Sequence, residues 1–129
     1  MRHTSTQMLY DYFNLVRKGE PAPLRADVDP KALKTALPDV FVLETGQNGE
    51  TTFRLAGMRV CAILGRELHG EDFNLLWLKT SRHKMNLLTQ AVLASRQPVV
   101  GKAELIGETV SGHRLEMLLL PLCSQPGVC

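Results

Sequence analysis

The segment spanning residues 53–73 constrains the fold of this chain more than any other. Its sequence predicts a strand, a glycine break at Gly57, one short helix, a glycine stop at Gly65 and a loop that ends in apolar residues. This order favours a small sheet that packs against short helices. The segment has no obvious nucleophile, metal-ligand cluster or phosphate-binding loop, so it favours binding over catalysis.

Three further helices are predicted outside this segment. The first ends at Gly19, and a second, shorter one lies between a capping Asp29 and Pro38. The third begins near Thr80 or Ser81 and ends near residue 96. The first helix carries an apolar face at helical spacing, formed by Met8, Leu9, Tyr12, Phe13 and Val16.

Two β-hairpins complete the predicted fold. Residues 40–45 and 51–55 flank an Asn48–Gly49 turn, whereas residues 99–110 and 113–120 flank a turn at Ser111–Gly112. Two hairpins with helices between them define an α+β domain without internal repeats.

Length and charge exclude several classes of protein. With 129 residues the chain is long enough for one domain, and its net charge of +2, dispersed along the sequence, argues against nucleic-acid binding. No apolar run approaches the roughly 20 residues that span a bilayer, and no signal peptide is recognisable, so we expect a cytoplasmic protein without a membrane partner. Cys61, Cys123 and Cys129 lack the spacing of a disulfide framework and are expected to be free thiols, with a local Cys123–Cys129 disulfide as the alternative.

Several stretches together resemble a bacterial single-domain PAS family over residues 17–122. The matching stretches are 25–30, 37–44, 53–57, 61, 64–68, 70, 76–77 and 115–121. The resemblance implies a PAS-like antiparallel sheet with short helices on one face and the N-terminal helix outside it. It also implies a cytoplasmic regulatory role and a tendency to dimerise, but it identifies no ligand or cofactor.

One departure from the family concerns the last strand. A PAS sheet has five antiparallel strands, with the last between the first and fourth, whereas four are predicted here. Pro121, Pro126 and Gly127 disfavour a central strand in the remaining residues. We therefore expect the final central strand to be missing, because the chain is a fragment, its sheet is incomplete, or a partner supplies the strand. The predicted divisions are an N-terminal helix at 1–19, a PAS-like domain at 20–122 and a flexible tail at 123–129.

A ligand pocket is predicted between the sheet and the short helices. Its candidate lining is Arg54, Cys61, Leu64, Phe73, Trp77, His83, Leu88, Val92, Leu105 and Met117. The simpler interpretation is that the apolar members fill a solid core. Arg54 or His83 would supply the polar groups that a binding site needs.

Cofactor and catalytic chemistry is weakly indicated. Cys61 lacks the Asn-Cys-Arg-Phe motif of flavin-binding PAS photosensors, and His83 as an axial haem ligand competes with the simpler interpretation of a solvent-facing histidine. No histidine or cysteine pair has zinc-ligand spacing. The acidic residues Glu67, Glu71 and Asp72 have no nucleophile beside them, so a solvated loop is the expected explanation.

Apolar residues on both faces of the predicted strands indicate an interaction surface. One face takes the short helices, and the other needs a cover that the first helix would supply within its own chain or across a two-fold dimer. The candidate interaction residues are Met8, Leu9, Tyr12, Phe13, Val16, Val40, Val42, Leu118 and Leu120. We expect a homodimer, with a folded monomer as the alternative.

The predicted function is a non-enzymatic PAS-type sensory or regulatory module of signal transduction. It would bind a small molecule, a signalling protein or both. Two alternatives remain open: a haem- or flavin-binding redox or gas sensor on the same fold, and a small α+β enzyme of the hot-dog type. The enzyme hypothesis is weakened because the long helix offers only Asn86 and Gln90 as polar candidates.

Overall fold

The computed structural model describes residues 4–46, 48–77, 79–106, 111–125 and 128–129, without the side chains of 102–106 and 111–115. Its helices are α1 (Thr4–Val16), α2 (Met58–Leu64) and α3 (Lys79–Ser95), and its strands are β1 (Phe41–Thr45), β2 (Thr51–Ala56), β3 (Val99–Ile106) and β4 (Ser111–Leu119). Within the described residues β1 pairs with β2 and β3 pairs with β4. The predicted α+β fold class is therefore confirmed.

The chain folds into two compact units. The terminal unit comprises Met1–Ala36, Asn86–Lys102 and Glu116–Cys129, and the central unit comprises Leu37–Met85 and Ala103–Leu115. Within the described part of the chain, no helix is both long and apolar enough to cross a membrane.

Helix α1 packs within the terminal unit. Phe13 is buried, and the Tyr12 hydroxyl accepts a hydrogen bond of 2.8 Å from the backbone N–H of Asp29. The helix ends where Lys18 and Gly19 adopt positive φ angles, as the Gly19 stop predicts. These contacts anchor the first helix to the segment that follows it.

The second predicted helix is wrong in type. Asp29 does cap it, since its side chain accepts from the Lys31 N–H at 3.0 Å, but the structure forms 3-10 turns at Pro30–Leu33 and Leu37–Asp39. The N–H groups of this segment pair three residues back, Lys34 with the Lys31 carbonyl at 3.4 Å and Ala36 with the Leu33 carbonyl at 2.8 Å, and 3-10 turns of this kind are common in short connectors. Buried Leu33 and Ala36 nevertheless supply the predicted apolar side.

Residues near the C-terminus pair with the N-terminal connector of the same unit. The backbone N–H of Cys123 donates to the Pro23 carbonyl at 3.0 Å, and the Arg25 N–H donates to the Cys123 carbonyl at 2.8 Å. Cys123 is joined to Cys129 by a disulfide, whereas Cys61 is free. The expectation of three free thiols is therefore wrong, because the fold brings the two C-terminal cysteines together.

The central unit is built on the β1–β2 hairpin. Val42 pairs with Leu55 and Leu43 pairs with Phe53, so Arg54 is an extra residue that forms a bulge on β2. Because the bulge interrupts the alternation of faces, Arg54 and Leu55 are both exposed. On the other side of β2, the Phe53 N–H donates to the Glu71 carbonyl at 3.0 Å and the Gly70 N–H donates to the Phe53 carbonyl at 2.7 Å.

The sequence correctly predicts the glycine that ends α2, but it wrongly predicts the turn between the last two strands. Gly65 ends α2 with φ 72°, the left-handed conformation expected of a glycine stop. By contrast, the predicted turn at Ser111–Gly112 is wrong, since both residues belong to β4. Strand pairing outweighs the local turn preference of Ser-Gly at this position. The strand at 99–110 was expected to end within residues 107–110, which lie outside the described residues.

A candidate ligand site in the central unit

Aromatic side chains from three parts of the central unit meet in one cluster. Phe41 comes from β1, Phe53 from β2, and Phe73 and Trp77 from the 3-10 turn Phe73–Leu76 and the residue that follows it. Ring centroids are 5.7 Å apart for Phe41–Phe53 and Phe53–Phe73, 5.8 Å for Phe41–Phe73 and 5.4 Å for Phe73–Trp77. Mostly edge-to-face geometry at these distances adds to the stabilisation from burial alone. We call these four residues the aromatic cluster.

Local backbone structure fixes the cluster in place. Phe53 is held through its backbone N–H and carbonyl by residues 70–71. The Asp72 side chain caps the next turn by accepting from the Asn74 N–H at 2.8 Å, and this turn directs Phe73 into the core, where it is 1% exposed. The cluster is thus positioned by one local cap, at Asp72, and by backbone pairing of Phe53 with residues 70–71.

Trp77 contributes the polar group of the cluster. The residue is 2% exposed, and its indole N–H is buried without a hydrogen-bond partner in the described structure. Its backbone carbonyl, in contrast, accepts from the Arg82 Nε at 3.2 Å. A buried indole N–H usually finds an acceptor, so this donor is an unsatisfied polar group in the core of the central unit.

Three of the predicted pocket residues, Leu64, Phe73 and Trp77, are buried within the central unit, and the rings of Phe73 and Trp77 are in contact. Leu68 and Met85 are buried in the same unit and were not predicted. Phe41 and Phe53 were also missed as site residues, although Phe41 was recognised as a strand residue. The rings of Phe41 and Phe53 contact each other across the hairpin. The sequence feature that could have identified them is an aromatic residue on each of the two predicted strands.

The polar residues of the predicted pocket lie in more exposed positions. Arg54 is exposed at the bulge, 3.7 Å from a Glu44 carboxylate oxygen, and His83 is exposed on α3. Cys61 is half-buried, with its sulfur 3.9 Å from the Ala56 carbonyl and from a Glu67 oxygen. None of these three contributes to the ring contacts of the aromatic cluster.

The remaining predicted pocket residues lie mostly in the terminal unit. Val92 and Met117 are buried there, and Leu88 is half-buried. The Leu105 side chain lies outside the described residues, as does any contact it makes.

Most of the predicted interaction residues are partly exposed in both units. In the terminal unit Phe13 is buried, while Met8, Leu9, Tyr12, Val16, Leu118 and Leu120 keep intermediate exposure. In the central unit Val40 and Val42 are also of intermediate exposure. Partial exposure leaves apolar area on both units that a partner would bury.

Charges and metal ligands add little to the site. The ion pairs of the described residues, Arg54–Glu44, Arg59–Asp39 and Arg66–Glu71, all involve partly exposed side chains, so each contributes at most about 1 kcal/mol. In the part of the chain that the structure describes, no group of three or more His, Cys, Asp or Glu side chains is placed to hold a metal ion.

These features define an α+β domain whose core carries a cluster of aromatic rings and one buried donor. A family model described as a PAS domain matches residues 1–128. The chain therefore belongs to the PAS domain family, whose members are in general sensory and regulatory modules. No curated protein and no solved structure matches the chain. Membership confirms the predicted family and sets the hot-dog fold aside.

Proposed function

We propose that the protein is a cytoplasmic sensory module that binds a small molecule in the central unit and passes its state to a separate signalling protein. The observation that carries the proposal is the buried, unpartnered indole N–H of Trp77 within the aromatic cluster. Rings supply apolar contact area, and one fixed polar group supplies orientation, which is the usual composition of a small-molecule site. Family membership supports the regulatory role.

The proposed mechanism is a shift between two arrangements of the protein. A ligand changes such an equilibrium only by its difference in affinity for the two arrangements. Trp77 is connected to α3 because its carbonyl accepts from Arg82. A ligand that reorients Trp77 would therefore act on the first turns of α3 within the central unit.

We also propose that the protein acts as a homodimer and catalyses no reaction. The half-exposed apolar residues of α1 in the terminal unit, and Val40 and Val42 in the central unit, support two contact surfaces, one on each unit. The absence of catalysis is supported by the acidic residues near the site. Glu67 accepts from the backbone N–H groups of Leu68 and His69, and Glu71 pairs with Arg66, so both have structural partners.

Binding can be tested through Trp77 itself, because it is the only tryptophan in the chain. The full chain would be titrated with the dialysable fraction of a bacterial extract while its tryptophan emission is recorded. The expected result is a saturable change in emission, together with a non-covalent adduct in native mass spectrometry. N-acetyltryptophanamide in the same extract controls for absorbance by the extract.

An unchanged emission spectrum and an unliganded mass across the titration would refute small-molecule sensing by the central unit. An absorbance spectrum of the freshly purified protein identifies a bound haem or flavin. The exposed position of His83 gives the haem hypothesis no structural support.

A further inference from the structure

The Trp77 indole is an unusual polar group for a protein core. Its N–H is buried in a residue that is 2% exposed, and no described residue accepts its hydrogen. A buried donor without an acceptor destabilises the fold, because its desolvation is not compensated by a hydrogen bond. Groups of this kind are few in native proteins and call for a specific explanation, such as a bound molecule.

The surroundings of Trp77 restrict how far its ring can turn toward a protein acceptor. Its ring packs edge-on against Phe73, with an interplanar angle of 77°. Its backbone N–H donates to the Asn74 carbonyl at 3.5 Å, and its carbonyl accepts from the Arg82 Nε at 3.2 Å. Since ring and backbone are both held, the simplest way to satisfy the indole is for an acceptor to come to it.

The rings around the indole favour an apolar body for the molecule that carries this acceptor. Phe73 packs edge-on against Trp77 and is itself in ring contact with Phe41 and Phe53. Aromatic rings offer flat apolar surfaces on which an aromatic ligand packs.

We infer that the ligand of the central unit is an aromatic molecule whose hydrogen-bond acceptor, a ring nitrogen or a carbonyl oxygen, binds the Trp77 indole N–H. This inference rests on the proposed function and specifies the chemistry of its ligand. Discrimination against an analogue that lacks the acceptor follows, because the indole donor would then remain unpaired.

Quinoline and naphthalene form a matched pair of probes, since they share shape and differ in one acceptor nitrogen. Each would be titrated into the uniformly ¹⁵N-labelled full chain while the indole N–H resonance is followed by NMR. The chain has one tryptophan, so this signal needs no assignment by mutagenesis. We expect quinoline to bind about tenfold more tightly than naphthalene and to shift the indole proton downfield.

A variant supplies the second comparison. Trp77→Phe keeps an aromatic ring and removes the donor, so it should bind the two probes with equal affinity, measured by the shifts of neighbouring backbone amides. The probe pair on the unmodified protein needs no variant and remains decisive if Trp77→Phe is poorly folded.

Each outcome decides the matter. Equal affinity of the unmodified protein for both probes overturns the inferred acceptor and leaves ligand binding by the aromatic cluster standing. An indole resonance that responds to neither probe overturns the inference, whereas the extract titration separately decides whether any small molecule binds.

Discussion

At the scale of single residues, Gly57 shows how the sequence positions the central unit. Its φ of −65° is accessible to any residue, so backbone conformation does not require glycine here. The requirement comes from close approach, because a Cβ at this position would collide with the backbone carbonyls of Leu37 and Pro38. The Gly57 N–H also donates to the Val40 carbonyl at 2.8 Å. This contact joins the start of α2 to the turn that precedes β1.

Replacing Gly57 with alanine is expected to destabilise the protein by about 1–3 kcal/mol, because backbone atoms cannot move aside as a flexible side chain can. Urea unfolding followed by circular dichroism measures the change. Gly101→Ala is the matched control, since its added Cβ would lie at an ordinary 3.8 Å from the Leu88 side chain. That control should remain within about 0.5 kcal/mol of the unmodified protein. Equal stability of both variants would show that the α2 corner is not packed as described.

Single-residue signals also mark what the sequence can and cannot predict. Gly65 ends α2 as predicted because its left-handed φ is a local requirement, whereas Gly57 begins α2 where the chain passes close to the backbone of Leu37 and Pro38. The Arg54 bulge was not predictable, since it exists only in the pairing of β2 with β1. As a result, Arg54 was assigned to the pocket although the bulge places it in the exposed part of the hairpin.

At the scale of elements, α1 is held by one apolar and one polar contact. Phe13 is buried in the terminal unit, and the Tyr12 hydroxyl accepts from the Asp29 N–H. Asp29 in turn caps the turn at Pro30–Leu33 through its side chain. The hydroxyl therefore joins α1 to the residue that caps the Pro30–Leu33 turn.

Tyr12→Phe removes this acceptor and keeps the ring. The expected cost is roughly 0.5–1.5 kcal/mol in the free energy of unfolding, at the lower end because water can reach the freed N–H. Faster hydrogen exchange of the Asp29 amide should accompany the loss. Tyr10→Phe on the same helix controls for removal of a hydroxyl, because no hydrogen bond of Tyr10 occurs among the described contacts. If both variants unfold at the same urea concentration as the unmodified chain, the Tyr12 contact does not anchor α1.

The elements differ in how well the sequence predicts them. Amphipathic spacing identified α1 and α3, and alternation with turn residues identified both hairpins. The segment after Asp29 was predicted to be an α-helix because its composition suits one, but its backbone N–H groups pair three residues back and form 3-10 turns. Free thiols were predicted, with the Cys123–Cys129 disulfide as the alternative, because spacing along the sequence does not show which thiols the fold brings together.

At the scale of the whole molecule, function depends on residues that are distant in sequence. The aromatic cluster combines β1, β2 and the turn before α3, so its composition follows from the fold and not from a motif. Sequence reasoning found Phe73 and Trp77 because they end the segment with the clearest pattern. It missed Phe41 and Phe53 as site residues because an apolar strand residue looks the same whether it faces a ligand site or a solid core.

The half-exposed apolar residues of α1 predict that two whole chains associate as a dimer. We expect light scattering to give twice the mass of one chain at micromolar concentration. Met8→Lys should convert this species to a folded monomer, because Met8 keeps partial exposure in the single chain and a lysine there would be desolvated in a dimer. Gln7→Lys adds the same charge to an exposed neighbouring position and should leave the mass unchanged. A monomeric mass for the unmodified chain, or a dimer that persists in Met8→Lys with unaltered affinity, would exclude α1 as the dimer contact.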